Sequence, residues 1–122
     1  MTRPDLARLS VKRIYEPRSE TDGARILVDR LWPRGIAKSA IDVWLKDLAP
    51  SDDLRRQFHG RPDRWDEFRA AYAAELGGTK AQAALDILGQ RLAQGPVTLL
   101  YAARDEDHNN AIALKLWLEI AK

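Results

Sequence analysis

Apolar and polar positions along the chain predict three strands and four helices, divided by turns rich in glycine and proline. Leu9–Tyr15 (LSVKRIY) is rich in β-branched and aromatic residues and reads as a first strand, without clean alternation. Pro17, Asp22 and Gly23 mark a turn, and Arg25–Asp29 (RILVD) follows as a short apolar strand ending in a charge. Arg30–Gly35 (RLWPRG) cannot be regular structure. Pro33 disfavours helix at Trp32, and Gly35 offers a position that tolerates positive φ. Ile41–Leu48 fits either a strand or a helical turn. Ser51 is placed to cap a helix over Asp52–Phe58, with two aspartates in its first turn.

A longer helix is expected over Arg64–Leu76, where Trp65, Phe68, Tyr72 and Leu76 form one stripe and Gly77-Gly78 stops it. Thr79 and Gln82 have the spacing of a capping box for the next helix. Its stripe is Ala81, Leu85, Leu88 and Leu92, and Gly95-Pro96 ends it. Val97–Ala103 (VTLLYAA) is an almost unbroken apolar run, as suits a strand buried on both faces. Asn109–Lys122 reads as a last helix with a narrow polar stripe of Lys115, Glu119 and Lys122. Such a helix packs deeply against the sheet or joins a second copy; we expect the sheet, with a homodimer through this helix as the alternative.

Parallel strands need crossover connections, and the helical stretch between Asp29 and Val97 can supply one. The expected fold is a small α/β domain, with a mostly parallel sheet flanked by helices and a tendency to three layers. The 122 residues suit one domain, with residues 1–8 as a flexible arm.

Composition narrows the chemistry. With no cysteine, disulfides, thiolate metal sites and cysteine nucleophiles are excluded together. The first residues lack the apolar stretch of a signal peptide, and the longest apolar runs fall far short of a membrane span. A cytoplasmic protein without a membrane partner is expected. Net charge is only +2, yet residues 1–38 carry nine Lys/Arg against five Asp/Glu. That basic third hints at an anionic partner. The sequence contains no G-x-G-x-x-G, no P-loop, no G-x-S-x-G, and no recognition helix of helix-turn-helix type. His59 and His108 are its two histidines and lack metal-ligand partners in the sequence, so no metal and no cofactor are expected.

In open α/β sheets ligands collect beyond the carboxyl ends of the strands. If Arg25–Asp29 and Val97–Ala103 run parallel as neighbours, the segments Asp29–Gly35 and Arg104–Asn109 open onto one edge. Arg30, Arg34 and Arg104 are permanently charged donors suited to phosphate or carboxylate, and Lys46 could add to them. Trp32 or Trp44 could stack on a flat ligand. Asn109 stands at a helix start, where unpaired N–H groups favour anions, although N-capping alone would also explain it. Asp29, Asp105 and His108 are the candidate acid–base groups. Each has a plain alternative: an aspartate tying down a loop, or a structural histidine.

The segments VDRLWPRG (Val28–Gly35) and WLKDLAPS (Trp44–Ser51) bring a likeness into view. With Leu54-Arg55, Phe58-His59, Trp65, Phe68, Tyr72, Thr98–Ala103, Asp105 and His108-Asn109, they resemble the YeaO-like family of uncharacterised bacterial proteins. The resemblance runs from about Val11 to Leu118. It implies a small α/β domain and carries no established activity. The leading expectation is therefore an anionic, phosphate- or nucleotide-like small molecule bound at the strand ends, with acid–base catalysis left open. A nucleic-acid module using the basic third and Arg55, Arg56, Arg61 and Arg64 is one alternative. A dimeric interaction protein is another.

Overall fold

In the computed structural model residues 6–120 are described. Four strands form one sheet: β1 (Leu9–Arg13), β2 (Ala24–Leu27), β3 (Val43–Trp44) and β4 (Val97–Tyr101). Their spatial order is β1-β4-β2-β3, and every neighbouring pair is parallel. β4 lies between β1 and β2 with all five residues buried, which accounts for its continuous apolar run. β3 is the short strand in the ambiguous segment, and a 3-10 turn at Lys46–Leu48 follows it. That segment was thus both of the things it resembled.

The four helices are α1 (Asp52–Phe58), α2 (Trp65–Leu76), α3 (Thr79–Gln94) and α4 (Asn110–Ile120). Leu9, Ile26, Val97, Leu99 and Tyr101 share one core with Leu54, Tyr72, Leu76, Leu88, Leu92 and Leu114 of the helices. The opposite face carries Leu27 and Leu100, packed with Ile14, Ile41, Trp32 and Ile36. The third layer is therefore made of connecting segments rather than helices. Alternation along each strand divides these sets between the two faces.

Several local expectations change. Thr79 is the first residue of α3 rather than its cap; Gly78 takes the cap position, and the Gln82 side chain bonds Asp86 instead. In α4 only Ala111, Ala113 and Leu114 are fully buried, and Ile120 is well exposed, so the helix is less enclosed than its composition suggested. Lys122, part of its expected polar stripe, lies outside the described residues, as do residues 1–5 of the expected arm. Leu6–Arg8 forms a 3-10 turn, with Leu6 against the main core and Arg8 bonding the Leu92 carbonyl. No described helix is long and apolar enough to cross a membrane.

The two ends of the sheet differ. At the amino ends the backbone closes tightly: Ala24 N–H donates to the Pro96 carbonyl at 2.9 Å. Gly23, with φ of 65°, has room for no Cβ, since one would meet that oxygen at 2.2 Å. Beside it Asp22 and Arg25 form a buried pair at 2.5 Å, joined by Lys12 at 2.7 Å. Burial works against the Asp22 charge, but the bonds from Lys12, the Ser19 N–H and Arg25 hold its carboxyl below the usual range. The carboxyl ends, in contrast, open outward.

Candidate functional site

Because the strands are parallel, the segments after β1, β2 and β4 leave the sheet at the same edge. The segments after β2 and β4 are bonded to each other. Ala102 N–H donates to Asp29 Oδ2 at 2.9 Å, and Asn110 Nδ2 donates to the Val28 carbonyl at 2.8 Å. Around them lies a cleft of about 930 Å³, within the size range of small-molecule sites. Its far wall comes from α1, the start of α2 and the turn between them.

Eight of the ten candidate residues line this cleft: Asp29, Arg30, Trp32, Arg34, Arg104, Asp105, His108 and Asn109. Trp44 and Lys46 do not. The Trp44 indole donates to the Asp29 carbonyl at 2.7 Å and meets Trp32 edge-on, with ring centroids 5.3 Å apart. Lys46 Nζ sits 4.1 Å from the centre of the Trp44 ring. Both support the loop from behind. Trp32 is half-buried and its indole N–H is committed to the Ile36 carbonyl, so it too shapes the loop.

Asp29 joins strand to cleft. Burial pushes its carboxyl above the usual range, against the pull of the Ala102 N–H and the Asn110 side chain. Asp105 is shifted the other way. Desolvation opposes its charge, but the N–H groups of Asp107 and His108 and the His108 ring hold its carboxyl below the usual range. Asp105 Oδ2 lies 3.1 Å from His108 Nδ1, and the imidazole rests edge-to-face against Trp65. This fixes the ring and leaves Nε2 without a partner among the described residues. Asn109 is the N-cap of α4: its Oδ1 accepts from Ile112 N–H at 2.9 Å and its Nδ2 bonds the Asp105 carbonyl. Its amide is thereby occupied by the fold.

The arginines separate into two groups. Arg55, Arg56, Arg61 and Arg64 are matched by Asp52, Asp53, Asp63 and Glu67, and Arg30 bonds the Pro50 carbonyl near Asp52. Further into the basic third, Lys12 and Arg25 are taken by Asp22, and Arg18 lies 4.0 Å from Asp42. Much of the charge that suggested nucleic acid is neutralised locally. Among the described residues Arg13, Arg34, Arg69, Arg91 and Arg104 have no carboxylate partner; of those lining the cleft, Arg13 is engaged with the Ala103 carbonyl and the Tyr15 ring, which leaves Arg34 and Arg104. They stand on the two loops that Asp29 joins.

Sequence reasoning missed Arg13 at the end of β1 and Tyr15 just beyond it, and Phe58, His59, Arg61, Trp65 and Phe68 on the far wall. The strand-end argument would have found the first pair had β1 also been read as parallel. For the far wall no local signal existed. Their spacing places Trp65 and Phe68 at the start of the α2 core stripe, whereas they are half-buried and border the cleft. Among the described residues no group of three or more His, Cys, Asp or Glu could hold a metal ion.

A parallel sheet with helices on one face and a strand-end cleft defines the class of protein, a small α/β domain. The model of the "Inactive DUF488-N3 subclade" matches residues 8–121, and the chain belongs to that family. Its relatives include "Uncharacterized protein YeaO" of Escherichia coli (strain K12), 44% identical over 116 residues that cover 90% of this chain and 96% of the relative. "Uncharacterized protein Rv3073c" of Mycobacterium tuberculosis (strain ATCC 25618 / H37Rv) is 45% identical over 93 residues, covering 75% and 79% respectively. No solved structure matches the chain.

Proposed function

We propose that this protein binds a phosphate-bearing small molecule in the strand-end cleft, with Arg34 and Arg104 as its charged contacts. The observation that carries this reading is the pair of unmatched guanidinium groups on two loops bonded through Asp29. On the cleft walls Arg30, Arg55 and Arg61 each lie beside a carboxylate. Arg34 and Arg104, whose guanidinium groups have no partner among the described residues, are suited to phosphate oxygens, which guanidinium grips through two parallel bonds. Binding without turnover is favoured by the description "inactive" attached to the subclade. Asp105, His108 and Asp29 then serve to shape and tune the site.

The test is calorimetric titration of the intact chain with inorganic phosphate, pyrophosphate and ribose 5-phosphate. Saturable binding that weakens in both Arg34→Ala and Arg104→Ala supports the reading. No binding of any of the three up to about 10 mM, weaker than any affinity the charge-assisted pairs should give, overturns it.

A further inference from the structure

We infer that the ligand is a nucleoside phosphate whose base lies on Tyr15. This inference rests on the phosphate reading above and names the rest of the molecule. Four large hydrophobic side chains are exposed among the described residues: Tyr15, Leu31, Ile87 and Ile120. Two of the four, Tyr15 and Leu31, line the arginine-bearing cleft, with exposures of 44% and 63%. Exposed apolar surface beside a cationic cleft suits a ligand that is part flat ring and part anion.

Tyr15 is exposed and yet held. Its hydroxyl donates to the Arg34 carbonyl at 3.0 Å, and the Arg13 guanidinium lies over its ring, 4.9 Å from the centroid. Arg13 in turn donates from Nε to the Ala103 carbonyl at 3.0 Å. One chain of contacts therefore runs from the residue bearing one free guanidinium, through the tyrosine ring, to the residue preceding the other. The tyrosine ring is thereby tied to the backbone of both arginine-bearing loops, so a ligand that stacks there loses little in ordering the ring.

The aromatic rings of the far wall are less available. Trp65 is stacked on Phe68 and touched by His108, and Phe58 is covered by Arg64. Among the Phe, Tyr and Trp rings lining the cleft, Tyr15 is the exposed one, with Arg13 over one face and the other face left for a base. Base–aromatic stacking tolerates every base because each has a π-face, so the site commits to a nucleobase without choosing among the four. The α1–α2 turn lines the cleft across from the strand ends.

The experiment compares binding of AMP, GMP, CMP, UMP and ribose 5-phosphate to the intact protein and to Tyr15→Ala, Tyr15→Phe and Arg104→Ala. At least one nucleotide should bind the intact protein about tenfold more tightly than ribose 5-phosphate, in line with the usual worth of one stacked base. Tyr15→Ala should remove that advantage, bringing nucleotide affinity to that of ribose 5-phosphate measured in the same variant. Tyr15→Phe, which keeps the ring, should retain it. Arg104→Ala should weaken all five ligands alike. If ribose 5-phosphate binds as well as every nucleotide, the base site is refuted and the phosphate reading stands. If none of the five binds, the nucleotide inference falls, and the inorganic phosphate and pyrophosphate titrations decide the phosphate reading by themselves. A 5′-phosphorylated tetranucleotide binding over a hundredfold more tightly than the matching mononucleotide would also overturn the inference, because the occupant would then be a strand end.

Discussion

The backbone N–H of Ala102 reaches the carboxylate of Asp29 at 2.9 Å, joining two segments 73 residues apart in the chain. Strand pairing brings them together, since β2 and β4 run side by side in the same direction. The bond then sets how the Arg34 loop meets the Arg104 loop.

Asp29 makes stability depend on pH in a definite direction. Burial raises its carboxyl pKa above the ordinary 3.8, so the folded protein holds this proton more tightly than the unfolded chain. Its contribution is most favourable below that ordinary value and is lost as pH rises through the raised one. Asp29→Asn should flatten this part of the profile, while Asp29→Ala should lower stability by about 1–3 kcal/mol by stranding the Ala102 N–H. Urea unfolding between pH 4 and 8 reads both effects. An unchanged profile in Asp29→Asn would remove Asp29 as its source.

Asp22 has the opposite sign. Its folded-state carboxyl lies below the ordinary range, so its stabilisation is complete above about pH 3.8 and disappears as acid carries the solution through the lowered value. At neutral pH Asp22→Asn leaves Arg25 buried and charged without its counter-ion, at a cost of about 3–5 kcal/mol. The gap between variant and parent should narrow in acid. Thermal unfolding at pH 7 and pH 3 decides the matter, and equal losses at both values would count against the pairing.

Gly23→Ala combines a positive φ with a methyl driven into the Pro96 carbonyl. We expect a loss of at least about 1–3 kcal/mol from backbone strain alone. Gly35→Ala also faces a positive φ, but in open space, and should cost about 1 kcal/mol. Denaturant midpoints of the two variants should rank in that order. A reversed ranking would mean that the amino edge of the sheet is looser than its contacts imply.

Arg34 and Arg104 should act together on a phosphate ligand. Each alanine variant is expected to weaken pyrophosphate binding about tenfold, or 1.4 kcal/mol. The double variant should lose less than the sum if both contact one phosphate group. Calorimetry over the four-member cycle measures the coupling. Strict additivity would place the two arginines on separate phosphates.

A good part of the fold was readable in advance because its signals are local. Ser51 was marked as the cap of α1 and accepts from Leu54 N–H at 3.2 Å. The apolar run of β4 announced a strand covered on both sides, and Gly35 was placed where φ is 77°. Thr79 misled because a threonine three residues before a glutamine has the capping pattern whether or not the preceding glycine can take the cap position. Likewise Trp44 carries the ring expected of a stacking residue, and only packing shows that its indole is used to hold the Asp29 carbonyl.

What the amino-acid order determined by itself was the set of short-range elements: turns at glycine and proline, helix stripes, and the strand ends from which charged loops emerge. Those depend on backbone sterics and on periodicity over a few residues, and every copy of the sequence carries them. Tertiary structure alone decided that β1 flanks β4, that Tyr15 lies by contact between Arg34 and Arg13, and which arginines found carboxylates. Such partnerships form between groups far apart in the chain. They follow from where burial of the apolar faces brings the backbone, and no nearby residue encodes them.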